Sequence, residues 1–252
     1  MLEFVGTAEG MAAEGLRVTI VRGVPSPWGE AVKGVLHVKA IDWQPVSFDG
    51  QDPQQTEWTG EVSAPTAMLD GEAPKATVRA IIELAERLAP EPALLPADGA
   101  VRARVLQMGD DLMGDGGLAW SRRLQLVHYG MTSKGGFAGG VAAYLAAKYG
   151  YIASMGDSYG PRVVSLLGAF SEILASSKGP YLLEDVMTAA DIQLACVMAL
   201  FAPLPDDVCA MHPKGRASFE TLDAETKAAL APNLLAHRDH MYAQHLETPL
   251  WL

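Results

Sequence analysis

The stretch Val62–Leu88, VSAPTAMLDGEAPKATVRAIIELAERL, changes its hydrophobic period halfway along. Ser63-Ala64-Pro65 leads into the short apolar run Thr66-Ala67-Met68-Leu69. A run that short, bounded by a proline and a turn, reads as a strand with Pro65 at its entrance, where no ladder donor is needed. Asp70-Gly71 is a hairpin signal, because glycine accepts the positive φ that such turns demand. From there Val78, Ile81, Ile82, Ala85 and Leu88 recur at helical spacing, with Arg79, Glu83, Glu86 and Arg87 on the other face. The local order is proline, strand, turn, strand, helix. A cis peptide before Pro65 would turn two backbone groups of Ala64 toward solvent, within reach of a ligand; a trans proline that simply opens the strand is the alternative.

Upstream, Leu16–Val21 (LRVTIV) is a β-branched run of strand length, broken by Gly23-Val24-Pro25. Ser26-Pro27 then starts a helix, serine as N-cap and proline at the first helical position, with Trp28, Val32, Val35 and Leu36 as its apolar stripe. Ile41–Phe48 suits a second strand, at or near an edge because of Pro45. Residues 49–61 read as a polar loop with room for one irregular helix, and residues 1–15 as a flexible lead-in. The pattern is β-α-β-(α)-β-β-α over residues 16–89.

Pro90–Gly99 (PEPALLPADG) holds three prolines and reads as a linker. Residues 100–252 read as all-helical. Val101–Met113 and Leu118–Val127 are separated by Gly114-Asp115-Gly116-Gly117; Val163–Leu174 is strongly apolar; Leu222–Leu235 and His237–Leu246 close the chain around a break at Pro232. Gly135-Gly136 and Gly139-Gly140 mark a mobile loop and lack the spacing of a dinucleotide fingerprint. Thr188 and Asp191 have the spacing of a capping box, with Met187 and Ile192 placed for a hydrophobic staple.

Composition narrows the function classes. The chain has 252 residues, 49% of them hydrophobic, and a formal net charge of −11. That charge argues against a non-specific grip on nucleic acid or anionic membrane. Two cysteines, Cys196 and Cys209, are too few for a disulfide framework and fit a reducing cytoplasm. No apolar run approaches the ~20 residues of a membrane span. A cytoplasmic protein with no nucleic-acid or membrane partner is expected.

The order SAP, apolar strand, DGE, TVRAIIELAERL resembles the second half of a glutathione transferase N-terminal domain. The Gly179-Pro180-Tyr181-Leu182 lead into the Thr188–Asp191 box resembles the buried N-capping box of that family's helical domain. The resemblance implies a thioredoxin-like domain at residues 16–89 and an all-helical domain at 100–252, an α/β unit followed by an all-α one. It implies glutathione as co-substrate and a homodimer. Pro65 takes the cis-proline position, and Ala64 the residue whose backbone grips the cysteinyl part of glutathione. Thr77 and Val78 stand where the family usually carries the Glu-Ser that binds the γ-glutamyl group. Thr77 can hydrogen-bond a carboxylate and the helix end can attract one; Val78 has no side-chain donor.

In that architecture the reacting sulfur lies at the N-terminus of the first helix, where exposed amides and the dipole lower a thiol's pKa. Ser26 is the residue placed to donate to the thiolate; the other reading is that it only caps the helix. A hydrophobic electrophile would lie between Trp28 and the first helices of the C-terminal half, beside Trp120. Arg122 and Arg123 either face the cleft to hold an acidic group or form a solvated helix face. His237, His240 and His245 lack metal-site spacing and suit a surface helix, and Asp110, Asp111 and Asp115 lack an EF-hand's ligand order, so no metal is expected. Cys196 suits a core position. The implied reaction is attack of the glutathione thiolate on an electrophilic carbon. The alternatives are a non-catalytic binding or scaffold protein of the same fold and a glutathione-dependent lyase or ether-cleaving enzyme.

Overall fold

A computed structural model describes residues 3–183 and 185–252. The N-terminal domain is built on a three-stranded sheet in the order β2-β1-β3. Central β1 (Leu16–Ile20) is buried along its length, as its β-branched sequence demands. It runs parallel to β2 (Gln44–Ser47), with Val18 opposite Pro45, and antiparallel to β3 (Thr66–Leu69), with Val18 opposite Ala67. Helices α2 (Pro27–Val38) and α4 (Val78–Leu88) pack together, bringing Val32, Val35, Ile81, Ile82 and Ala85 onto Val18 and Ile20. The expected fourth strand shrinks to one bridge, Ala67 to Lys75. Pro74 supplies no ladder donor and Thr77 already caps α4, so only Lys75 remains to pair.

The described part of the lead-in is ordered, contrary to expectation. Val5 pairs with Val46 on the outer side of β2, donating to the Pro45 carbonyl at 3.1 Å and accepting from the Ser47 amide at 2.9 Å. Pro45 therefore turns its missing donor away from β1 and costs the sheet nothing. Helix α1 (Thr7–Ala12) follows, the Glu9 carboxylate accepting from the Gly6 amide at 3.0 Å. It lies so close to the sheet that a Cβ on Gly10 would sit 2.7 Å from Val46 Cγ2. Residues 49–61 hold a regular helix, α3 (Pro53–Thr59), capped by Asp52.

The linker is pinned. Lys39, with its ammonium buried, donates to Glu86 at 2.6 Å and to the Pro92 carbonyl at 2.8 Å, while Leu94 and Leu95 enter the core. Beyond it come α5 (Gly99–Met113), α6 (Leu118–Met131), α7 (Gly139–Tyr149), α8 (Gly156–Ser176), α9 (Ala189–Val197), α10 (Pro213–Phe219), α11 (Ala224–Ala229) and α12 (Pro232–Gln244). Gly139-Gly140 thus begin a helix rather than belong to a loop.

Buried along its whole length, α9 is the axis of this half and touches α2, α5 and α12. Its N-terminus carries the expected box: the Thr188 amide and hydroxyl both donate to Asp191 Oδ2 at 2.8 Å. Asp191 Oδ1 accepts from the Leu182 amide at 2.8 Å and lies 3.1 Å from His237 Nε2. His237 is therefore buried on α12, not on a surface helix. Where α9 crosses α2, a Cβ on Gly34 would sit 2.9 Å from Ile192 Cγ2.

Candidate functional site

A cleft of about 710 Å³ opens between the two domains, a size that suits a small-molecule ligand. One wall is Val62–Pro65 and Ala76–Arg79, the opening of β3 and the start of α4. The other is the C-terminal half of α5, the α5–α6 loop and the end of α7, with Trp28 of α2 at the base. Trp28, Trp120, Ala64, Pro65 and Thr77, distant from one another in sequence, all line it.

The wall formed by β3 and α4 presents mainly backbone. The Ala64–Pro65 peptide is cis and Ala64 faces the cleft. Thr77 caps α4, its hydroxyl accepting from the Ala80 amide at 3.1 Å. The Thr77 carbonyl takes the Ile81 amide at 3.0 Å, which leaves the amides of Val78 and Arg79 and the hydroxyl proton of Thr77 for a carboxylate. Arg79, also in this wall, is paired across the domain boundary with Asp110.

The aromatic wall is held from both domains. Trp28 Nε1 donates to the Met113 carbonyl at 2.8 Å, tying the start of α2 to the end of α5. Its ring stacks on Tyr149 with centroids 6.0 Å apart, and Tyr149 meets Trp120 edge-on at 4.9 Å. Tyr149 and its neighbour Lys148 are cleft residues that sequence reading missed, because the surrounding glycines suggested a loop and hid α7.

Ser26 occupies the N-cap position of α2 but its hydroxyl makes no capping bond. It is 8% exposed and is not itself a lining residue; Trp28, two residues on, is where this helix end meets the cleft. Arg122 and Arg123 do not form a cleft-facing pair, nor a solvated face. Arg122 is fully buried, its guanidinium donating to the carbonyls of Leu200, Phe219 and Thr221 at 3.1, 3.0 and 2.6 Å and to Gln125 Oε1 at 2.7 Å. Burial brings its pKa down to about 10. Its work is to fasten α6 to the chain beyond α9. Arg123 lies behind the aromatic wall, ringed by Trp28, Phe137, Tyr149 and Phe219 at 5.6 to 5.8 Å from its guanidinium carbon.

Cys196 is in the core, and burial raises its thiol's pKa, so it offers no nucleophile. Among the described residues no group of three or more His, Cys, Asp or Glu is placed to hold a metal, and no helix is long and apolar enough to cross a membrane.

Solved structures share this fold. A glutathione S-transferase domain-containing protein of Marinobacter aquaeolei superposes with a TM-score of 0.64 at 17% identity, over 90% of this chain and 98% of that one. The fold is that of the glutathione S-transferases. A glutathione S-transferase of Methylobacillus flagellatus with glutathione bound gives 0.64 at 18% identity, over 90% and 94% of the two chains. A β-etherase of Sphingobium sp. strain SYK-6 gives 0.60 at 16% identity, over 90% and 99%. No protein-family model and no curated protein matches the chain. In glutathione transferase terms, the sheet domain is thioredoxin-like and the remainder is the all-helical domain.

Proposed function

We propose that the cleft binds glutathione and presents its thiolate, at the N-terminus of α2, to an electrophilic carbon of a hydrophobic substrate. The observation that carries this reading is that one cleft collects Ala64, the open amides of α4 and the first turn of α2. The Ala64 backbone takes the cysteinyl unit, Pro65 shapes the turn beside it, and Thr77 with the Val78 and Arg79 amides takes the γ-glutamyl carboxylate. The sulfur then meets the end of α2, where unpaired amides and the dipole favour the anion. Ser26, whose hydroxyl serves no cap, donates to it. A C–S bond forms, the leaving group departs with the electrons of the broken bond, and the thiol proton passes to solvent. An aryl oxide leaving group gives ether cleavage by the same first step. Family resemblance adds a homodimer and a cytoplasmic setting, where glutathione is kept reduced.

Val78, with no side-chain donor, favours the second reading, a protein that keeps the fold for binding alone. Calorimetric titration with glutathione near neutral pH separates the two. The transferase reading expects a Kd in the micromolar to low-millimolar range. No heat and no thermal shift at tens of millimolar would refute it and turn attention to protein partners.

A further inference from the structure

Lys148 and Arg123 stand at the aromatic end of the cleft with no anion beside them, while Arg162, which also lines the cleft, donates its Nε to the Gly116 carbonyl at 3.1 Å. Lys148 ends α7 next to Tyr149, lines the cleft, and holds its Nζ 5.1 Å from the centre of the Phe48 ring. Among the described residues no carboxylate lies within ion-pair reach of it. Behind the same wall Arg123 is 7% exposed, and its Nε has no hydrogen-bond partner. A buried charge left without a partner is unfavourable, and aromatic faces offset only part of the penalty. Desolvation, and then the charge of Arg123, lower the pKa of Lys148. Both groups gain from an anion arriving between the walls.

The acidic groups of the cleft are engaged elsewhere or stand apart. Asp110 is taken by Arg79, Asp111 accepts from Gln107 at 3.2 Å, and Asp115 lies in the α5–α6 loop. In a chain of net charge −11 the Lys148 end is a local reversal of sign. The Lys148 Nζ lies 6.0 Å from the centre of the Tyr149 ring, so its charge adjoins the aromatic wall of Trp28, Trp120 and Tyr149.

We propose that Lys148, reinforced by the Arg123 charge behind the aromatic wall, is a carboxylate-binding subsite that selects aromatic electrophiles bearing an acid group. The word electrophile rests on the transferase reading; the subsite does not need turnover. Lys148 touches the substrate, whereas Arg123 acts through the wall.

The test is a binding comparison. Quenching of tryptophan fluorescence by 3-nitrobenzoate and by its methyl ester gives the acid-to-ester ratio of Kd without any reaction. The wild-type protein is expected to prefer the acid, Lys148→Met to lose about tenfold of that preference, and Lys148→Arg to keep it. An unchanged ratio in Lys148→Met overturns the proposal. So does a rise in its glutathione Kd with the ratio unaltered, which would assign the lysine to the peptide's own carboxylate. Conjugation is then read separately with 4-chloro-3-nitrobenzoate, in which a C–S bond replaces C–Cl and chloride leaves. Acid preference without glutathione binding leaves the subsite standing and removes the transferase reading.

Discussion

Ser26 sits at the one helix end in the cleft region where a proline follows the cap and the hydroxyl remains free. On the proposed reading, removing that hydroxyl deletes a hydrogen bond to the bound thiolate and, since it makes no capping bond, nothing from the fold. Ser26→Ala is therefore expected to lower turnover by about 10–100-fold, the equivalent of roughly 1.5–3 kcal/mol. Glutathione affinity and Tm should hardly move, which calorimetry and a thermal melt would show; unchanged turnover would take Ser26 out of the chemistry. The residues that sequence reading brought together are those tied to local signals: a proline at a strand entrance, a threonine before a helical period, a tryptophan in the first turn of a helix. Arg122 and Arg123 show where such reading ends. Adjacent arginines look alike in a sequence, yet a helix turns about 100° between them. One reaches carbonyls on two distant segments, Leu200 after α9 and Phe219 and Thr221 at and beyond the end of α10, and the other enters an aromatic ring cluster, and both destinations are set by chain more than ten residues away.

At the scale of elements, β1 and α4 were legible because their periods are strong and their ends punctuated. The fourth strand was read too long: only Lys75 pairs, with Ala67, because Pro74 before it has no donor and Thr77 after it already caps α4. Helix α7 was hidden for the opposite reason, glycines at its start suggesting a loop. The α9 box is the element whose loss should be felt most. Asp191 is fully buried and satisfies the Leu182 amide, the Thr188 amide and the Thr188 hydroxyl. Asp191→Ala would leave these donors without an acceptor and is expected to cost roughly 3–5 kcal/mol. Thr188→Ala, which keeps the carboxylate and its bond to Leu182, should cost about 1 kcal/mol. Urea unfolding of the two variants would measure both; equal losses would mean that the carboxylate does no more than cap.

The whole molecule has a pH dependence written into its core. Burial holds Cys196, Cys209, Tyr129 and Tyr242 above their ordinary values. From about pH 9 the unfolded chain begins to lose these protons while the native state keeps them, so stability falls as the pH rises. Arg122, brought down to about 10, acts in the opposite sense and only above that pH, where the native state releases a proton that the unfolded chain retains. Thermal melts between pH 8 and 11 should show a declining Tm, with the first part of the decline flattened in Cys196→Ala; a flat profile in the wild type would contradict this. A separate consequence follows from Val5 lying along the outer side of β2. Without that pairing, the Pro45 carbonyl and the Ser47 amide would face water as the start of an open ladder, ready to accept a strand from another molecule. A chain beginning at Ala13 is therefore expected to fold and then self-associate, its light scattering rising with concentration where the full chain's stays level. Residues 3–12 act as a guard on colloidal behaviour, and their worth is better read from a shelf-life than from a melting curve.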